Sequence, residues 1–267
     1  MRFKITFNRI GLKRTLPVNY QYYISAWIYR VVASADKSFA DFLHNEGYRD
    51  GSKNFKLFNY SPIDFGKPIL LKENNLFEIK RDHISLNLSF FLSDAAEAFI
   101  VGLFRNQEVY LGDSFYGLEL RVAQIERLSE TELMESMHYR ALSPVVISFK
   151  YPGSTYASYL SPDDKEYAQL FHKNLRNKFQ AAPNMNPPLP DSYSFHFTFT
   201  GTPRSKLVTI KQGTPEQSKI RGYLFEFDLT APREIHRLIL SCGAGEKNSL
   251  GFGWCEGEMN RNEKFKI

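Results

Sequence analysis

An α+β protein made of two halves with the same element order is what this sequence predicts, and three observations predict it. Segments that alternate apolar and polar residues are interleaved with segments of helical apolar spacing. Read in order, they run β-α-β-β-α-β twice. A polar stretch, SETELMES (129–136), separates the two runs. This is the order of a ferredoxin-like (RRM-like) unit. The expectation is therefore two tandem ferredoxin-like βαββαβ domains, at 1–128 and 137–267. Only the element order repeats; no residue-level repeat relates the halves.

In the first half, RFKITF (2–7) alternates and opens as a strand. From Tyr20 to about Ser34 a helix is predicted, because Ile24, Trp27, Ile28 and Val31 fall on one stripe at i, i+3, i+4 and i+7. A second, short helix spans Ser38 to Asn45, with Phe39, Phe42 and Leu43 inward and Gly47 just past its end. FKLFNYSPI (55–63) reads as a strand, and LFEIKRDHISLNLSFFL (76–92) as a strand pair turning at Arg81-Asp82. Asp94 and Glu97 suggest a capping box for a helix through Phe104. Residues 108–128 return as strands.

In the second half, YRALSPVVISF (139–149) reads as a strand. Ser161-Pro162 suggests the start of a helix from about Asp163 to Phe179. A proline-dense loop (181–191) follows. SYSFHFTFT (192–200) places Phe195, Phe197 and Phe199 on one face. KLVTIKQ (206–212) and RGYLFEFDLT (221–230) are strands around a polar turn, Pro232 opens a helix to about Ser241, and a glycine-rich loop leads to a final strand.

With 43% hydrophobic residues in 267, a real core can be buried and wholesale disorder is excluded. The net charge of +5 favours a polyanionic partner, since Lys and Arg displace the counterions held by phosphates. Aromatic residues make up 15%, enough for a core and for spare rings on which bases can stack. The two cysteines, Cys242 and Cys255, form no metal-binding pattern and suit a reducing compartment. MRFKITFNRI lacks a signal-peptide apolar run, and no apolar stretch has membrane-spanning length. The expectation is a cytoplasmic protein with no membrane partner and no cofactor.

CGAGEKNSLGFGWCEG (242–257) holds five of the 16 glycines. Such a loop lets backbone approach a ligand, and its N–H groups suit phosphate oxygens. Asn248 stands where both a P-loop and a dinucleotide-binding fingerprint need glycine, so neither motif is present. LGFGWCEG and Arg221-Gly222-Tyr223 only partly echo the RRM motif, which argues against an ordinary RRM-type module. The whole string instead resembles the C-terminal glycine-rich motif of the CRISPR repeat-processing endoribonucleases, part of the repeat-associated RNA-binding superfamily. Their pattern, roughly G-x-G-x-x-x-S-x-G-x-G, is filled by Gly243, Gly245, Ser249, Gly251 and Gly253. RFKITF, YQYYISAWIYRVV, FLHNEG, FKLFNYSP and LSPVVISF look like further counterparts in the same order.

The resemblance implies tandem ferredoxin-like domains, repeat RNA within a precursor crRNA as partner, and metal-independent cleavage. It also implies a catalytic trio of Tyr29, His44 and Lys56, with Lys53 as a rival to Lys56. In metal-free RNA cleavage a 2′-OH attacks the neighbouring phosphate. One group removes its proton, another protonates the leaving 5′ oxygen, and a cation steadies the phosphate. Histidine suits proton transfer at neutral pH. The roles implied are His44 as acid, Tyr29 as base or positioning group, and Lys56 as charge stabiliser, with the first two exchangeable. Tyr29 lies about 100° around the helix from Ile28, off the buried stripe, and His44 near a helix C-terminus that favours its charged form. Expected RNA-binding residues are Gly243, Gly245, Lys247, Asn248, Ser249, Gly251 and Gly253 in the loop, with Arg204, Lys211, Arg221 and Arg237 on the basic surface. No metal site is expected, since no His, Cys or acidic residues cluster at ligand spacing. A non-catalytic RNA-binding subunit of the same fold, effector-complex proteins as further partners, and a homodimer stay open.

Overall fold

A computed structural model describes residues 1–183, 185, 188–190 and 192–259. Strand β1 (Arg2–Arg9) is followed by helices α1 (Gln21–Ala35) and α2 (Lys37–Asp41), strands β2 (Phe58–Tyr60) and β3 (His83–Phe90), helix α3 (Ser93–Arg105), and strands β4 (Glu108–Gly112) and β5 (Gly117–Arg127). They form an antiparallel sheet in the order β2-β3-β1-β5-β4. Without the added edge strand β4, this is the order of a ferredoxin-like unit. The second unit has β6 (Ser136–Ala141), α4 (Tyr167–Ala181), β7 (His196–Ile210), β8 (Ser218–Thr230), α5 (Arg233–Cys242) and β9 (Cys255–Met259), in sheet order β7-β8-β6-β9. The chain is thus α+β, with two ferredoxin-like units in tandem.

Patterning explains both cores. Phe3, Ile5 and Phe7 of β1 are buried, while Lys4 and Thr6 between them are not. The stripe of Ile24, Trp27, Ile28 and Val31 is buried as its spacing predicts. Trp27 meets Phe7 and α3's Phe99 edge-on, each at 5.6 Å. In the second unit Phe171 of α4 packs on Phe197 at 5.1 Å, and Tyr139 stacks on Phe227 at 5.0 Å. His236 is a core histidine: Nδ1 meets the Tyr139 hydroxyl at 2.8 Å, Nε2 meets the Glu135 carbonyl at 3.0 Å, and burial lowers its pKa.

Several expected elements are corrected. The run 76–92 is no hairpin: Leu76–Glu78 joins Thr15–Pro17 and Ile69–Leu71 in a separate small sheet, while β3 pairs with β1. The run 55–63 breaks at Leu57, whose φ of 53° turns the chain. Lys53–Phe55 then pairs with Tyr48–Asp50, leaving β2 for the main sheet. The helix expected at 38–45 is α2 followed by a π-helical turn, Phe42–Glu46, closed by Gly47 at φ 67°. Of its expected inward residues only Leu43 is fully buried. There is no capping box at Asp94, because α3 starts at Ser93, with Leu92 in the capping position, and places Asp94 within its first turn. The strand expected at 139–149 stops at Ala141, and Ser148–Phe149 pairs with Ser158–Tyr159. Asp164 organises a turn before α4, its carboxylate accepting from Ser161 N at 2.7 Å, so the helix begins at Tyr167 rather than Asp163. The two strands expected at 192–200 and 206–212 are one long strand, β7, with an irregularity between Thr200 and Arg204. In the proline-dense loop, residues 184, 186, 187 and 191 lie outside the described residues.

Candidate functional site

A cleft of about 890 Å³ lies between the two units. Among the described residues, seven lysines and one carboxylate, Glu246, line it. One wall comes from α1, the π-helical turn and the Lys53–Phe55 hairpin; the other comes from α4, the Ser148–Phe149 strand and the glycine-rich loop.

Tyr29 and His44 meet on the first wall, ring centroids 4.9 Å apart and edge to face. The position of Tyr29, one residue past the buried Ile28, turns its ring to the cleft side, where it also packs edge-on against Phe58 at 5.6 Å. Burial pushes its pKa up to about 12, opposed by a hydrogen bond with the Ser249 side chain. His44 is exposed in the π-helical turn, a wider helical turn that re-aims the residues it carries. Its Nδ1 faces the Asn45 side-chain oxygen at 3.1 Å. Half-buried Lys56 donates from Nζ to the His44 carbonyl at 2.7 Å. Burial, then the nearby Arg49, lower the Lys56 pKa, and Glu46 opposes them. The three residues of the expected trio thus share one wall. Lys53, the rival, is exposed on the same cleft.

The glycine-rich loop forms the opposite side differently from expectation. Free N–H groups for phosphate were expected, yet Gly243 N donates to Ile239 O, Gly251 N to Asn248 O and Gly253 N to Pro144 O. The glycines instead allow close packing. A Cβ on Gly253 would lie 1.9 Å from the Ala244 carbonyl oxygen, and one on Gly251 would lie 2.6 Å from the Tyr60 ring of the first unit. Gly245 and Gly243 are buried likewise. Asn248 is also no open donor: its Oδ1 accepts from Lys178, and its Nδ2 donates to Ala244 O and Phe252 O. What the loop does present to the cleft is Lys247, exposed with φ 60°, and Ser249. Lys211 also lines the cleft, its Nζ 5.9 Å from the Tyr22 ring centroid. Arg204 and Arg221 are exposed on the β7–β8 hairpin and Arg237 on α5, none of them on the cleft.

Sequence reasoning missed Lys178. It is 2% exposed, donates to Gly243 O at 2.8 Å and to Asn248 Oδ1 at 2.6 Å, and burial lowers its pKa to about 8. The signal was there in α4: Phe171, Asn174, Leu175, Lys178 and Phe179 form one helical stripe, all buried, in which asparagine and lysine are polar intruders.

Comparison with known proteins places this arrangement. The model for "CRISPR associated protein Cas6, C-terminal" matches residues 128–257, and that for "CRISPR-associated protein Cas6, N-terminal" matches 15–121. The CRISPR-associated endoribonuclease Cas6 of Pyrococcus furiosus is 27% identical over 93% of this chain and 86% of its own. Cas6 1 of Methanocaldococcus jannaschii is 22% identical over 94% and 91%. Among solved structures, one described as the characterization of a Cas6-related gene from Pyrococcus furiosus superposes with TM-score 0.79 at 22% identity, covering 98% of this chain and 99% of that one. Another, described as a RAMP protein binding different RNA substrates, gives 0.78 at 23% identity over 97% and 99%. These two likenesses carry the fold, and the two family models together span most of the chain: it belongs to the Cas6 family of CRISPR-associated proteins.

Proposed function

We propose that this protein is an endoribonuclease that binds CRISPR repeat RNA and cuts precursor crRNA within the repeats. The observation that carries the reading is the convergence of Tyr29, His44 and Lys56 on one wall of a lysine-lined cleft. The 2′-OH before the scissile phosphate attacks the phosphorus, and the products are a 2′,3′-cyclic phosphate and a 5′-OH. Tyr29, held protonated by burial, donates a hydrogen bond and orients the phosphate; it is a poor base at neutral pH. His44, exposed at the cleft, protonates the leaving 5′ oxygen, and the proton of the 2′-OH passes to solvent water. Lys56 balances the charge that builds on the phosphate. No metal takes part: among the described residues Glu246 is the one carboxylate on the cleft, and it accepts from the Ser148 hydroxyl at 2.8 Å. Lys247, Lys211 and Ser249 contact the RNA in the cleft, while Arg204, Arg221 and Arg237 bind it outside.

The division between the units falls within 129–136. The setting is the cytoplasm, which suits two free, buried thiols at Cys242 and Cys255. Among the described residues no helix is long and apolar enough to cross a membrane. Effector-complex proteins or a second copy of the chain are further partners in this reading.

The test is incubation with repeat RNA from the same genome in EDTA, followed by analysis of the ends. Cyclic phosphate and 5′-OH ends are expected, and a 2′-deoxyribose before the scissile phosphate should stop cutting while leaving binding largely intact. A 3′-OH with a 5′-phosphate sinks the mechanism. Tight binding without cutting selects the non-catalytic RNA-binding subunit instead.

A further inference from the structure

Lys56 reaches the cleft from the first unit, yet the residues on either side of it belong to the core of the second. Leu57 is 4% exposed and is part of the hydrophobic cluster that Tyr139, Phe171 and Phe227 build there. Half-buried Phe55 packs against the same cluster, and so does Tyr48, its cross-strand partner in the hairpin. Phe58, one residue further on, is fully buried in the core of the first unit. The chain thus passes from one core to the other within a single peptide, and it does so at the φ of 53° on Leu57. A leucine disfavours that backbone conformation and keeps it only where the surroundings fix it; such residues gather at functional sites. Here they do so by burying the side chain and through a hydrogen bond from Phe91 N to the Leu57 carbonyl at 3.0 Å. The turn that carries His44 closes on the same stretch. A Cβ on Gly47 would lie 2.6 Å from the Phe55 carbonyl oxygen and 3.2 Å from Lys56 Nζ, and that Nζ donates to the His44 carbonyl.

We infer that Phe55 and Leu57 are positioning residues for cleavage: anchored in the core of the second unit, they hold Lys56 against the turn that carries His44. The assignment rests on the role given to Lys56 above. A lysine ammonium rides on a flexible four-carbon stem, so its place depends on where its Cα is held and on what the ammonium meets. The two anchors fix the first, and the His44 carbonyl supplies the second. Loss of either anchor frees the backbone of Lys56 to drift, and a shift of about 1 Å in a catalytic group costs about 100-fold in rate. The catalytic wall, although built from the first unit, takes its working shape from the docking of the second.

The experiment is a double-mutant cycle on the full-length chain. Leu57→Ala and Phe55→Ala are each made in the wild type and in Lys56→Ala, and single-turnover cleavage of repeat RNA is followed at saturating protein. Affinity is measured on RNA with a 2′-deoxyribose before the scissile phosphate. In the wild-type background each truncation should slow cutting by about 10- to 100-fold and leave affinity nearly unchanged. In the Lys56→Ala background neither should change the residual rate by more than about twofold, because the group they place is gone. Urea unfolding identifies the variants that are folded. Should Leu57→Ala fail to fold, Phe55→Ala, at a half-buried position, carries both arms of the cycle. A truncation that slows cutting by the same factor in both backgrounds acts through general loosening and overturns the assignment. So does one that leaves the wild-type rate unchanged, or that lowers affinity in place of rate. In those cases a slow Lys56→Ala keeps the role of Lys56, and the positioning alone falls. If Lys56→Ala cuts as fast as the wild type, Lys56 leaves the mechanism and the positioning goes with it. If the wild type does not cut, the proposed function falls first.

Discussion

At pH 7 a phenol with a pKa of about 12 is ionised in only about one molecule in 10⁵. In the proposed mechanism Tyr29 is therefore expected to act as a donor, and protonation of the leaving oxygen to rest on His44. Replacing His44 with alanine should slow single-turnover cleavage by about 100- to 10,000-fold, the usual worth of a positioned acid or base. Filter-binding affinity should hardly move, because one imidazole adds little to phosphate attraction. Lys247→Ala should do the opposite. Its side chain is exposed on the cleft, and the proposed mechanism gives it no part in the proton transfers. Its loss should weaken binding and flatten the dependence of log affinity on log salt by about 0.7–0.9. A His44→Ala variant that cuts at the wild-type rate would remove His44 from the mechanism. An unchanged salt slope in Lys247→Ala would leave Lys247 without a phosphate.

Among the elements, the glycine-rich loop and α4 act as a pair, with Lys178 as the tie. Gly253→Ala forces a Cβ against a carbonyl oxygen at a φ of 73°, and should cost about 2–4 kcal/mol in urea unfolding. Lys178 adds a pH signature. Its folded pKa is lowered to about 8 from an ordinary 10.5, so between those values the unfolded chain binds more protons than the folded one. Its contribution to stability should therefore rise with pH across that window and be flat below about 8. Comparing wild type with Lys178→Met at pH 8 and pH 10 isolates the effect: the difference should shift in favour of the wild type at the higher pH. The same elements show what a sequence can display. The stripe of Ile24, Trp27, Ile28 and Val31 and the phenylalanine face of β7 were readable because period alone encodes them. The break at Leu57 was not, because a leucine at positive φ is held by packing and not by local preference. Nor was the place of Leu76–Glu78, which pairs both with its neighbour Ile69–Leu71 and with Thr15–Pro17, far away in sequence. Tyr29, His44 and Lys56 are candidates through a likeness of short segments, and their period alone does not single them out. Asn174 and Lys178 were passed over, since polar residues in a helix read as solvated until a distant loop covers them.

At the scale of the molecule, charge is concentrated where the two units meet. Setting aside Lys178, whose ammonium is engaged inside the loop, six lysines among the described residues remain on the cleft. If each neutralises one phosphate of a single strand, log affinity should fall against log salt with a slope of about −4. Fluorescence anisotropy at a series of KCl concentrations measures it, and a slope shallower than about −2 would put the RNA elsewhere on the surface. The two walls also differ in when they come into being. Tyr29 and His44 belong to the unit made first, whereas Ser249, which bonds to Tyr29, lies in the loop that follows α5. A ribosome must deliver everything through Leu250 before the second wall can dock, and chains fold from their N-terminal units onward. A nascent chain thus carries Tyr29, His44, Lys53 and Lys56 before the facing wall exists, and the complete cleft arises only once synthesis has passed the glycine-rich loop.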